Sequence, residues 1–245
     1  MRERMRAKDI KAFAKEKLKV NLKVLILIQI IIVLITMGIT VWANAFQRLT
    51  GSWILTFLIQ ILEMFIMYVF FAGSTYACYM SSMGMKPGIE DAFYAFRKKA
   101  RAVLWVILRK CIMIQVYAAI FGFFIGIFTS AIDADSSIAL LISGILSVII
   151  VELRYFPAIY LLMEGEEKEA KKAVWQGTDL MKNNYTRLIS LYLSFIPWML
   201  LGVLTLGIGL FVVGPWVQVS MAVFYKDLIE REKVKTGAKA EDSMG

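Results

Sequence analysis

Long apolar runs alternate with short basic stretches along the whole chain. The apolar runs fall at 24–43, 53–79, 102–130, 138–163, 188–206 and 210–224. The first is just long enough to cross roughly 30 Å of hydrocarbon, which takes about 20 residues of α-helix. The last is short for a crossing and is interrupted by Pro215; with Gly207 and Gly209 at its outer end, it reads as the second arm of a tight helical hairpin. Backbone polar groups inside a bilayer must be satisfied within their own segment, so such runs predict helices and not strands.

The basic stretches have a pattern of their own, since each odd-numbered run is preceded by an amphipathic segment. Before the first, Ile10, Phe13, Ala14 and Leu18 share one helical face, opposite Lys8, Lys11, Lys15 and Lys19. Before the third, Pro87-Gly88 opens a helix whose stripe is Ile89, Phe93, Phe96, Ala100 and Val103. Glu90 and Asp91 suit its positive end, and Arg97 to Arg101 suit the other. Before the fifth, Ala170, Val174, Gly177 and Met181 form a weaker stripe with Trp175 near the interface. A basic interfacial helix followed by a membrane hairpin thus occurs three times, as in a threefold internal repeat.

Charge sets the expected orientation. Lys and Arg concentrate before the first run, between the second and third, between the fourth and fifth, and after the sixth. Only Arg48 falls on the opposite side, and the loop around Asp133 and Asp135 there has no base, so both termini are expected in the cytoplasm. The basic start followed by an apolar run mimics a signal peptide, and Ala43-Asn44-Ala45 loosely resembles a cleavage site. The run is longer than a signal core, however, so an uncleaved first span is expected. The fold class predicted is an all-α, polytopic membrane bundle of six transmembrane helices with three cytoplasmic-face amphipathic helices. Residues 1–228 would form a single membrane domain and 229–245 a basic, flexible tail.

Composition agrees. Of the 245 residues, 59% are hydrophobic, and the mean hydropathy is +0.67. A soluble domain of this length cannot hide that much apolar surface. The net charge of +9 sits between apolar runs and not on one polar face, which suits an anionic inner leaflet and excludes nucleic acid as a partner. Histidine is absent, which removes imidazole chemistry, and Cys78 and Cys111 lack the spacing of a zinc site. Met80, Met83 and Met85 suit adaptable packing better than metal capture. HExxH, GxSxG and phosphate-cradling glycine loops are all missing, so neither catalytic residues nor a cofactor are expected.

Ionisable residues inside apolar runs are expensive, and they are the candidate site: Glu63, Arg109, Lys110, Glu152 and Arg154. Lys110 lies roughly 12 Å into the third run and Glu152 roughly 16 Å from the inner end of the fourth, so either Lys110 or Arg109 can pair with Glu152. Glu152 and Arg154 point to opposite faces. Glu63 has no base at its depth. Ala118, Gly122, Gly126 and Ser130 form a small-residue stripe, with a shorter one at Gly73, Ala77 and Ser81. Such stripes suit close helix packing within the bundle or a homodimer interface. Trp42, Trp53, Trp198 and Trp216 fit an aromatic belt.

The C-terminal third carries a more specific signature. It comprises Leu193-Ser194-Phe195-Ile196-Pro197-Trp198, Leu204-Thr205-Leu206-Gly207-Ile208-Gly209-Leu210, Pro215-Trp216 and Phe224-Tyr225-Lys226-Asp227-Leu228. With Phe13-Ala14-Lys15-Glu16-Lys17-Leu18-Lys19 at the start, these stretches resemble a bacterial membrane family known as domain of unknown function 975. The resemblance implies a six-helix fold in a bacterial cytoplasmic membrane and transfers no catalytic residue. Where that family often has an Ile-Pro-Gly type break between spans three and four, this chain has Asp133 and Asp135, then Glu152 and Arg154. The expected function is non-catalytic: an accessory, scaffold or stress/immunity component acting through anionic lipids, a protein partner or a homo-oligomer. The alternative is a transporter, flippase or channel for a lipid, peptide or small solute.

Overall fold

A computed structural model describes residues 5–131, 136–165 and 170–242. Asp133 and Asp135, and the side chains of Trp53 and Ser130, lie outside what it describes. Helices α1 (Ala7–Thr50) and α2 (Trp53–Ser82) form a first hairpin. A 3₁₀ turn (Ile89–Phe93) and a π-helical turn (Ala95–Lys99) lead into α3 (Ala100–Ala131) and α4 (Ser136–Glu164). Then come α5 (Ala170–Met181), α6 (Tyr185–Leu193), α7 (Ile196–Leu204) and α8 (Leu210–Asp242). Among the described residues there is no strand, and 5 helical stretches are long and apolar enough to cross a membrane. The run that opens α8 is not among them, because Pro215 and Gln218 dilute it and Lys226 and Asp227 end it.

The amphipathic connectors differ from one another. The first is no separate element, because α1 runs unbroken for 44 residues. Its buried stripe is Ile10, Ala14, Leu18, Asn21, Leu25 and Ile28, whereas Phe13, expected on that face, is exposed. Lys11, expected on the polar face, turns inward instead. Its Nζ donates to the Ser194 carbonyl (2.9 Å) and lies 5.0 Å over the Phe195 ring. Burial pulls its ammonium below the ordinary lysine value. The second connector is not an α-helix. Three residues per turn followed by a π-turn breaks the 3.6 period, so Ala92, Ala95 and Lys99 are buried while Ile89 and Phe96 are exposed. Asp91 caps it by accepting from the Gly88 N–H (2.7 Å). Its backbone presses onto α2 at Gly73, where any Cβ would overlap the Ala92 carbonyl. The third connector, α5, buries Ala173, Val174, Gly177 and Met181 and leaves Trp175 71% exposed.

The core sits at the basic end of the bundle. Ile10, Leu25 and Ile28 of α1 join Leu188, Leu191, Phe195, Phe224 and Tyr225 in one buried cluster. Val103 and Val106 of α3 join Val151, Ala158 and Leu162 of α4 in another. The opposite ends are bare, with Leu49 86% and Leu140 71% exposed. In lipid these apolar surfaces cost nothing, so the packing is concentrated where the chain meets water.

The third hairpin is the shallow one. The run expected to be one span, 188–206, is broken between α6 and α7, where Pro197 has no N–H to continue the ladder and the Lys11 ammonium satisfies the Ser194 carbonyl. Helix α7 has 9 residues, roughly 13 Å. Gly214 of α8 lies against Gln29 of α1, and Gln218 accepts from Ser74 and Cys78 of α2. From those levels α1 and α2 each continue outward for roughly 30 Å, whereas the α7–α8 turn lies only about 11 Å from Gly214 and about 17 Å from Gln218. That turn is apolar except for Thr205, whose Oγ1 donates to the Gly202 carbonyl (2.7 Å) and accepts from the Gly209 N–H (2.8 Å). Leu206 (φ 55) and Gly207 (φ 84) reverse the chain there. At the other end α8 continues to Asp242, so the segment expected to leave the bundle at 229 as a flexible tail is largely helical.

Candidate functional site

Beside the shallow third hairpin, α8 does not close fully against α2, α3 and α4. A half-open cavity of about 670 Å³ remains between them. Its wall is almost wholly apolar, built from Met67 and Phe71 of α2, Val106 and Ile107 of α3, Phe156 and Ile159 of α4, Met199 of α7, and Val213 and Val217 of α8. That volume is in the range of small-molecule pockets.

One ion pair interrupts this surface. Lys110 Nζ donates to Glu152 Oε2 at 2.8 Å, with the lysine side chain 15% and the glutamate 44% exposed. Of the two cations the sequence offered to Glu152, the structure selects Lys110. Tyr68, Thr75, Tyr160, Tyr192 and Gln218 complete the polar lining. Gln218 is held by the Ser74 hydroxyl (2.8 Å) and the Cys78 thiol (3.1 Å), both donating to its Oε1. In the sequence, the one signal for Gln218 is that it stands as a lone amide within the apolar run of α8. Tyr68 and Tyr192 gave none, since tyrosine in an apolar run reads as packing.

The other candidate charges do not join this pair. Arg109 lies 6.0 Å over the Trp105 ring, and Arg154 donates to the Tyr117 hydroxyl (2.9 Å), both on the exposed side of the α3–α4 hairpin. Glu63 lies away from the cavity and accepts from Thr40 of α1. The five residues are therefore four local arrangements and not one patch. Within the small-residue stripe of α3, Gly122 faces Ser143 of α4, where Ser143 and Ser147 are buried, whereas a Cβ at Gly126 would meet no atom within 4 Å. Met83 and Met85 are exposed beyond the C-terminal end of α2, and among the described residues no three metal-ligating side chains come together.

The signature residues of the C-terminal third fix the third hairpin. Pro197 and Trp198 sit at the break, and Trp198 packs edge-on against Trp216 (5.4 Å), whose Nε1 donates to the Lys11 carbonyl (3.2 Å). Pro215 is buried in α8, and Gly207 and Gly209 make the turn. Phe224 and Tyr225 are fully buried; Tyr225 stacks on Tyr160 (4.9 Å) and donates to Glu164 (2.7 Å), which also accepts from Tyr79. A clasp closes the basic end of the bundle. Buried Asp227 accepts from Arg187 (2.5 Å) and pairs with Arg231 (3.1 Å), while Arg187 also donates to the Met5 carbonyl (3.0 Å) and the Asn184 side chain (3.1 Å).

The Lys110–Glu152 pair makes a measurable prediction. Lys110→Met alone and Glu152→Gln alone are each expected to lower stability by about 1–3 kcal/mol, because each leaves the partner without its counterpart in low dielectric. The double variant Lys110→Met/Glu152→Gln is expected to lose less than the sum of the two single losses. Thermal unfolding of the four proteins in nanodiscs closes this cycle, and additive losses would remove the pairing.

An all-helical chain with several helices able to cross a bilayer, rooted in a common core, has the fold of a multi-pass membrane protein. It belongs to the family described as protein of unknown function (DUF975), whose pattern it matches over residues 1–232. No curated protein and no solved structure matches it.

Proposed function

We propose that this chain is a non-catalytic, multi-pass protein of a bacterial cytoplasmic membrane that acts by binding membrane lipid. The observation that carries this reading is the half-open apolar cavity among α2, α3, α4 and α8. A cavity walled by hydrocarbon-like side chains and open sideways in a bilayer is solvated by lipid chains and not by water. Its polar lining holds a lysine and a glutamate already joined to each other, so no free nucleophile–base arrangement stands beside it. In this reading the six apolar runs form three hairpins rooted at the cytoplasmic face, with both termini there. A basic segment before each meets anionic headgroups. The hairpins are repeats of one plan whose third copy inserts less deeply.

The test is native mass spectrometry of protein released from nanodiscs. Wild type is expected to retain lipid. Val213→Trp and Met67→Trp, which fill the cavity from two sides, should retain several-fold less, and Leu140→Trp on the bare end of α4 should match wild type. Equal retention by all four proteins would sink the reading. A transport reading is favoured by one observation, the ion pair within a cavity that extends along α8 from Met221 to Leu210. It requires that Glu152→Gln abolish lipid or solute movement in proteoliposomes while leaving retention intact.

A further inference from the structure

Cavity chemistry narrows the lipid. Resting on the lipid-binding reading above, we infer that the occupant is a single-chain lipid whose end group is uncharged and both donates and accepts hydrogen bonds.

Three observations carry this. The first is charge. Lys110 and Glu152 neutralise each other, and Arg109 and Arg154 are engaged outside the cavity, so the lining has no net charge to offer a phosphate or an ammonium. A charged end group would have to break the pair or enter unpaired, at a depth where an isolated charge is expensive. The second is hydrogen-bonding capacity. Lys110 spends one donor on Glu152 Oε2, and Glu152, 44% exposed, keeps Oε1 as an acceptor. Gln218 has committed its oxygen to α2, leaving the amide nitrogen for the cavity side. Donors and an acceptor thus lie together, the complement of a hydroxyl, amide or glycerol end.

The third is position. Measured along α3 and α4, the pair lies roughly 15–18 Å beyond the inner ends of those helices. The lining runs on past the pair to Met199 and Leu210 beside the α7–α8 turn, so in a bilayer that end of the cavity would face hydrocarbon and not the headgroup layer. A lipid reaching that mouth must leave its interface, which an uncharged single-chain lipid does far more readily than a charged or two-chain one. About 670 Å³ is room for one chain and a small end group.

The experiment uses three photoreactive probes of equal chain length in nanodiscs containing the full chain. They are a monoacylglycerol, an alkyl sulfonate that is always anionic, and an alkyl trimethylammonium that is always cationic, each with a diazirine on the chain. Crosslinked peptides are mapped by mass spectrometry. The monoacylglycerol is expected to label cavity residues of α2, α3 and α8 about tenfold more than either charged probe, and Val213→Trp and Met67→Trp should abolish that labelling. Lys110→Met, which leaves Glu152 without its cation, should shift the preference to the trimethylammonium probe. Stronger cavity labelling by a charged probe, still blocked by the tryptophans, overturns this inference and leaves lipid binding standing. Labelling of all probes insensitive to the tryptophans overturns both.

Discussion

Gly73→Val is expected to lower stability by about 3 kcal/mol or more and to detach the 3₁₀ and π turns from α2. The reason is local and steric. At Gly73 the 3₁₀ backbone lies directly on the helix, so even one methyl group overlaps the Ala92 carbonyl, and a carbonyl within a capped turn cannot swing aside as a side chain can. Around that contact Phe70 packs edge-on against Phe93 (5.6 Å) and Phe96 (4.7 Å), and Tyr76 stacks on Tyr94 (3.8 Å), so displacing the turn strips several rings at once. Thermal unfolding gives the loss, and faster proteolysis within 86–99 identifies the detached segment. Gly122→Val is the control, because its Cβ would meet only the Ser143 side chain at ordinary contact distance. An unchanged midpoint for Gly73→Val would mean the turn does not rest there.

Asp227→Ala is the second large effect. One buried carboxylate holds Arg187 and Arg231, and Arg187 in turn fixes the Met5 carbonyl and lies 5.2 Å over the Phe224 ring. Removing the acid leaves two cations facing each other with little water. The expected loss is about 2–4 kcal/mol, smaller than for a fully enclosed pair because both arginine side chains are partly exposed. Asp227→Ala/Arg187→Met, which also deletes one cation, is expected to recover part of that loss. If the double variant is less stable than Asp227→Ala, the carboxylate is not what offsets Arg187.

Much of this was visible in the sequence because a bilayer imposes simple rules. The runs at 24–43, 53–79, 102–130 and 138–163 lie within α1 to α4, since length and apolarity alone dictate a helix there. The Lys110–Glu152 contact was within reach because antiparallel neighbours turn sequence position into depth. Elsewhere the rules ran out. The break at Ser194 and Phe195 depends on Lys11, 183 residues away in sequence, and no local pattern announces such a partner. Arg187 and Asp227 are 40 residues apart with no spacing signal. The stripe at Ile89 and Phe96 failed because periodicity assumes an α-helix, whereas this connector tightens and then widens its turn. Glu63 could be judged isolated from bases, but its bond to Thr40 followed only from how α1 and α2 align.

The short reach of α7 makes bilayer thickness a structural variable for this protein. Where α1 to α4 continue past the Leu206–Gly207 reversal, the described residues place no third pair of helices beside them, so in a bilayer acyl tails would become the packing material of the distal half. Longer tails must fill a taller notch and shorter ones thin around it, at a cost of fractions of a kcal/mol per Å. The proximal half, locked by side chains, is insulated from that adjustment.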